Sequence, residues 1–259
     1  MTYSRLPPEE LYAVDRSGDL VGGLGRTLVL LNWPLALGAV ALAALAARPR
    51  PLVAAAIALC GVTAVPGVVD QSDLDARWVN GLPAFGVLLA LALTAAAVRR
   101  DGAAFAPRAR GDALRLGLGV FLLLLALPWV TAEAGFHFPG DLFLGEERPE
   151  RSPDLAAVHL GFHHGTGGVL LALTALLLSR AARSRALAAY LSLMLVYGLA
   201  NAAQDGWNEQ LWKRGTVGWH APDVLRPELS LPWLVLVTAA VAVYALWFRP
   251  RPPVEPAET

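Results

Sequence analysis

Charge is scarce in this chain. Only 16% of its 259 residues are Asp, Glu, Lys or Arg, against about 25% in an ordinary soluble domain. Lysine is nearly missing: Lys213 is the single one. Cysteine is also single, Cys60, which excludes an intrachain disulfide, a CxxC redox motif and a cysteine zinc site. Histidine numbers five, and the net charge is zero. A neutral total gives no basic excess of the kind that binds nucleic acid. Residues 1–26 are polar and lack the basic lead and early apolar core of a signal peptide.

What is abundant is apolar. Hydrophobic residues make up 56% of the chain and the mean hydropathy is +0.49. A water-soluble fold this apolar would need a very large core, so the composition predicts an all-α integral membrane protein of the cell membrane, with the lipid bilayer as its main partner. Seven apolar runs stand near 27–47, 52–69, 82–98, 113–134, 155–179, 185–205 and 230–248. Each approaches the roughly 17–25 helical residues that a hydrocarbon core requires, the second and third being the shortest. The expected fold is therefore a seven-transmembrane-helix bundle over 27–248. It follows a polar outer segment, 1–26, that carries a short surface helix from Pro7, and it precedes a proline-rich, disordered tail, 249–259. No repeat of fixed period and no soluble domain is visible. Prolines 34, 66 and 128 lie within runs and are expected kink points.

Arginine placement sets the orientation. Arg48, Arg50, Arg99, Arg100, Arg108, Arg110, Arg115, Arg180, Arg183, Arg185, Arg249 and Arg251 fall in one alternating set of segments, with only Asp101, Asp112, Glu255 and Glu258 against them. Basic segments stay cytoplasmic, which puts the N-terminus outside and the C-terminus in the cytoplasm. The outer segments are then 1–26, 70–81, 135–154 and 206–229. Trp78, Trp207, Trp212, Trp219 and Trp233 lie at or near their boundaries, as an interfacial aromatic belt would.

Chemistry-bearing residues gather at that outer boundary. Three of the five histidines lie in Ala157-Val-His159-Leu-Gly-Phe-His163-His164-Gly-Thr-Gly-Gly168. His159 and His163 stand four apart and share a helix face, while His164 is turned by about 100° from His163. Gly161, Gly165 and Gly168 form the opposite face, a small-xxx-small pattern that admits a close neighbour. The fourth run ends with Glu133 and His137, again four apart; Gly135 between them and Pro139 just after are candidate helix stops, the first of which would leave His137 in the loop. The sixth ends in an Asn201, Asp205, Glu209 stripe, with Asn201 one turn deeper near the level of His163. Imidazoles and carboxylates together suit a divalent transition metal: zinc, iron, manganese or copper.

Three readings fit these residues. One is a metal site with ligands among His137, His159, His163, His164 and Asp205. Another is acid–base chemistry by Glu133, Asp205 and Glu209, with Asn201 in support. The third is a polar network that merely ties helices together. As a metalloenzyme, a hydrolase or an oxidoreductase, the protein would act on a lipid or an apolar small molecule reaching the site sideways. A non-catalytic subunit, assembly factor or sensor is the alternative, and a transporter a second one, disfavoured by inner halves that are almost wholly apolar. His220 and the acids Asp70, Asp73 and Asp75 are expected to be solvated, and Asn32 to satisfy a neighbouring helix.

Scarcity again excludes families. His159-x-x-x-His163-His164 looks like one histidine box of the membrane fatty-acid hydroxylases and desaturases, but that family needs several boxes, more than five histidines can supply. Rhodopsins need a lysine in the last helix for the retinal Schiff base, and hydrolases related to alkaline ceramidase place a histidine pair there. Residues 230–248 contain neither.

Overall fold

The computed structural model describes residues 20–65, 68, 78–102, 111–133, 165–212, 215–225 and 227–250, without the side chains of 20–32, 78, 128–133, 166 and 209. Seven α-helices and no strand occur among the described residues: α1 Leu20–Ala46, α2 Arg50–Gly61, α3 Gly81–Asp101, α4 Asp112–Glu133, α5 Gly165–Leu178, α6 Arg185–Trp207 and α7 Leu231–Val243. The last two run on into five-residue π-helical turns, Asn208–Trp212 and Tyr244–Phe248. Each of the seven apolar runs thus contains a helix.

The boundaries have local causes. Ser184 sits in extended backbone before α6 and its hydroxyl accepts from the Leu187 N–H at 3.1 Å, satisfying one free donor of the first turn. Pro51 occupies the first turn of α2, where its missing N–H costs nothing. The second run, expected to extend over 52–69, stays helical only to Gly61 and closes with a 3-10 turn at Val62–Ala64. Val65 is extended (φ −84°, ψ 115°) because the ring of the following Pro66 disfavours helical backbone there. At 1.5 Å per residue a helix of this length reaches about 18 Å, short of a hydrocarbon core of about 30 Å. Pro34 and Pro128, by contrast, are carried inside α1 and α4.

The helices pack as two groups that share α1. One face of α1, Ala36, Ala39, Ala43 and Ala46, is buried with Ala56 and Cys60 of α2 and Ala90 and Leu93 of α3. Trp33 and Ala41 of the same helix belong instead to the core of α4–α7. Small residues set the distances. A Cβ built on Gly86 of α3 would stand 2.7 Å from the Cys60 backbone nitrogen.

The most extensive pairing is α5 with α6, and it is closest at two glycines. A Cβ on Gly168 would lie 2.5 Å from the Gly198 carbonyl oxygen, and one on Gly198 would lie 2.5 Å from the Gly168 carbonyl oxygen. The neighbouring Gly167 turns to α1, where a Cβ would collide with the Trp33 ring. Two consecutive glycines thus open two seams of one helix. Gly168 was expected on a packing face. Gly167 and the partner glycine on α6 were not anticipated.

Three helical stretches are long and apolar enough to cross a membrane: Gly81–Asp101, Arg185–Trp212 and Leu231–Phe248. Shorter apolar stretches cover Trp33–Ala46, Arg50–Ala64 and Gly167–Leu178. The first and third of the long stretches are mostly unburied, whereas α6 is the central helix. Leu88, Leu116, Leu124, Leu231, Leu234 and Leu246 are exposed, the last at 88%. Exposed leucines on long apolar helices are compatible with a membrane.

Gly168→Val forces the α5–α6 backbones apart and is expected to destabilise the protein by about 1–3 kcal/mol, the usual range for overpacking. Gly117→Ala, on α4 with nothing within 4 Å of its added carbon, is expected to be neutral or mildly stabilising. Thermal midpoints of the two variants in one detergent check this, and equal midpoints would contradict the close crossing.

Candidate functional site

The polar residues of α6 lie immediately beyond the glycine crossing. Asn201 is fully buried and Asp205 is 5% exposed. The Asn201 Cβ is itself one of the atoms that a side chain on Gly168 would meet, at 3.1 Å. Asn201 Nδ2 donates to the Tyr197 carbonyl one turn back, at 2.8 Å. Its Oδ1 is buried and meets no donor among the described residues. Burying an amide oxygen or a carboxylate in an apolar bundle is costly. Asp205, expected at the outer end of this run as a candidate site residue, is buried.

Tyr197, four residues before Asn201, anchors the surroundings. Its ring stands edge-on to Trp33 of α1 with centroids 5.7 Å apart, and Trp233 of α7 tilts against it at 5.6 Å. Its hydroxyl donates to the Leu225 carbonyl at 2.6 Å. That bond draws the segment after α6 back along the helix. The chain turns at Gly215 (φ 70°), whose N–H donates to the Trp212 carbonyl at 2.9 Å. Trp219 then packs on Trp207 with centroids 4.4 Å apart, and the Trp207 indole N–H donates to the Trp219 carbonyl. Asn208 holds Ala221 from both sides: its Oδ1 accepts from the Ala221 N–H at 2.7 Å, and its Nδ2 donates to the Ala221 carbonyl at 3.2 Å. Val224 and Leu225 end buried.

On an ideal helix Tyr197, Asn208, Asn201 and Asp205 fall within a sector of about 80°. The polar stripe therefore runs between the two points where the returning strap is pinned. Glu209, expected to prolong the stripe, lies in the π-helical turn, where i to i+5 bonding interrupts the 3.6-residue period. Tyr197 and Asn208 were missed. A tyrosine inside an apolar run was the available signal, because a buried hydroxyl needs a partner.

The remaining expected site residues fall outside what the structure describes. His137, His159, His163 and His164 lie outside the described residues, as do Gly161, Asp70, Asp73 and Asp75 and the helix expected from Pro7. Glu133 ends α4 and Glu209 lies beyond α6, but neither side chain is among the described ones, nor are those of Asn32 and Trp78. Among the described residues no group of three or more His, Cys, Asp and Glu stands ready for a metal ion. His220 is exposed, as expected, with its ring 5.3 Å from that of Trp212.

A second polar cluster occupies the opposite, arginine-rich end. Asp112 at the start of α4 takes Arg115 Nη1 at 3.3 Å on one oxygen and Arg180 Nη1 on the other. Arg115 Nε also donates to Ser179 Oγ at 2.9 Å. Its guanidinium lies 5.0 Å from the Trp247 ring centre and 5.5 Å from that of Phe248. Gly111, at φ 86°, leaves room for Trp247: a Cβ there would come within 2.5 Å of the indole nitrogen. One carboxylate between two guanidiniums thus ties the start of α4 to the end of α5, and Arg115 links both to the end of α7.

Comparison with protein-family models, curated protein sequences and solved structures returned no match.

Asp112→Asn leaves Arg115 and Arg180 facing one another without the charge between them. A loss of about 1–3 kcal/mol is expected for a half-buried group robbed of its partner. Arg183→Ala, an exposed neighbour, is expected to change stability little. Thermal melts at low and high salt check both.

Proposed function

We propose that the protein is a multi-pass cell-membrane protein whose polar site, at the outer ends of α4–α6, holds a divalent transition metal and acts on a lipid or an apolar small molecule. The observation that carries this reading is the buried Asn201–Asp205 stripe beside the closest helix crossing. A buried carboxylate in an apolar bundle is retained at a cost, and such residues mark functional sites by default. The segment leading into α5 carries His159, His163 and His164. Gly168, near the start of α5, abuts Asn201. Zinc, iron, manganese and copper all accept imidazole with carboxylate. In this reading the histidines are the ligands, joined by His137 from the end of α4. Asp205 ligates or orients an imidazole, and Glu133 and Glu209 supply acid–base chemistry. A bound metal would activate water or oxygen toward the substrate.

Orientation follows the arginines: the Arg115–Asp112–Arg180 cluster belongs to the cytoplasmic side and the N-terminus to the outside. The apolar outer faces of α3, α4 and α7 support contact with lipid. The short helix of α2 fits a bundle in which this run crosses incompletely as helix.

A structural role for the stripe is the second reading. The bond from Asn201 Nδ2 to its own helix and its place against the Gly168 backbone favour it. Metal analysis separates the two. Protein purified without chelator is expected to carry a transition metal at near one per chain. His159→Ala and His163→Ala are expected to abolish it, and Asp205→Asn to weaken it by roughly 10–100-fold, as loss of an orienting partner does. Metal-free wild type that cannot be reloaded, or unchanged content in all three variants, defeats the metalloenzyme reading and leaves the structural one.

A further inference from the structure

At the arginine-rich end, carboxylates answer some guanidiniums and not others. Asp112 serves Arg115 and Arg180. Asp101 takes Arg100, with Nε at 2.8 Å on one oxygen and Nη2 at 2.8 Å on the other. Arg48, Arg50 and Arg99 are exposed and meet no carboxylate among the described residues. Packing gathers these three at one corner. Only residues 47–49 join α1 to α2, in a tight turn where Ala47 takes left-handed backbone (φ 59°) and the Arg48 N–H donates to the Ala46 carbonyl at 2.7 Å. Val53 near the start of α2 and Ala97 near the end of α3 pack on the same small-residue core as Ala46, the last residue of α1. Gly86 of α3 lies against Cys60 of α2. Ten residues back along α2 is Arg50, and ten forward along α3 is Ala96. Arg99 therefore stands about 5 Å beyond the level of Arg50, within one helical turn. The charge of Arg183, in the turn before α6, also reaches Asp101 at the end of α3. Apolar exposure begins directly beside these arginines: Leu52 is 45% exposed and Val98 47%, and Leu91 and Leu88 continue it along α3.

We infer that the corner formed by Arg48, Arg50 and Arg99 holds the phosphate headgroup of an anionic phospholipid whose acyl chains lie along the exposed face of α3. The inference needs α3 to face lipid and is independent of the metal site. Charge complementarity is its basis. Three like charges at one corner repel unless an anion lies among them. Arg50 stands in the first turn of α2, which contains no acid, and the helix's own partial charge there is positive as well. A guanidinium offers paired N–H groups that match two phosphate oxygens at once. Depth selects a lipid over a soluble acidic partner. The turn at 47–49 barely clears the helix ends, and the guanidiniums lie within a turn of side chains on the apolar outer face, at the level of headgroups. Basic clusters flanking apolar spans are the usual recognition sites for anionic lipid.

Native mass spectrometry of the full chain in a neutral detergent tests this, with phosphatidylglycerol or phosphatidylcholine of the same chain length added. Wild type is expected to bind phosphatidylglycerol at least about tenfold more tightly than phosphatidylcholine. An arginine near an anionic headgroup is worth about fivefold in affinity, so Arg48→Gln combined with Arg50→Gln is expected to weaken phosphatidylglycerol binding roughly 25-fold. Phosphatidylcholine binding is expected to stay as it was. Arg99→Gln, on the other helix, is expected to weaken phosphatidylglycerol about fivefold and serves if the double variant does not fold. Arg249→Gln, an exposed arginine at the end of α7, is expected to change neither. The inference is overturned if the two lipids bind alike, or if the corner variants leave phosphatidylglycerol binding unchanged. It is also overturned if Arg249→Gln weakens binding as much as they do, since the charge would then act diffusely. Displacement of the lipid by an equal concentration of inorganic phosphate or of a polyglutamate peptide overturns it too, because the occupant is then a soluble anion. The readout involves no metal, so its failure and that of the metalloenzyme reading are told apart.

Discussion

Where Gly168 of α5 meets Gly198 of α6, main chain touches main chain, and each glycine occupies the space that the other's side chain would fill. Between helices in lipid there is little hydrophobic drive to associate, so close van der Waals contact carries more of the work. The crossing belongs to the most extensive helix pairing among the described residues. It also fixes everything placed relative to it. Gly167 seats the Trp33 ring and so sets the approach of α1. Tyr197, one residue before the crossing, reaches Trp33, Trp233 and the returning strap. Asn201, one turn beyond, is pressed against the α5 backbone. A side chain at either glycine would move all of these together.

The polar groups divide between the two ends of this apolar body, and each end solves the cost of burial differently. At the arginine-rich end opposite charges neutralise one another: Asp112 sits between Arg115 and Arg180, while aromatic faces of Trp247 and Phe248 take the remaining side of Arg115. The result is a latch joining three helix ends. At the other end the buried residues are an amide and a carboxylate one turn apart on one helix, the amide pressed against the backbone of α5.

Much of the fold was legible as pattern. Seven apolar runs became seven helices because a backbone removed from water must bond to itself, and helix is the way one segment achieves that. The second run loses its helix before Pro66 and does not kink through it, because the residue before a proline resists helical backbone. The candidate site was half legible. Asn201 and Asp205 were singled out by their 3.6-residue spacing, which survives as long as α6 is regular. Glu209 falls in the π-helical turn and its side chain is outside the described ones, and Tyr197 and Asn208 were overlooked because their partners are main-chain carbonyl and amide groups some 13 to 28 residues away. Main-chain partners carry no residue signature.

Composition and periodicity determined that the chain is helical, that each of the seven apolar runs holds a helix among the described residues, and which residues share a face, since these depend only on the chain's own repeat and its distance from water. Tertiary structure alone decided that two particular glycines touch, that Asp112 is shared by two arginines, and that the segment after α6 returns along that helix to meet Tyr197. Those outcomes depend on which helix stands beside which, and neighbourhood in space is not encoded by any local spacing.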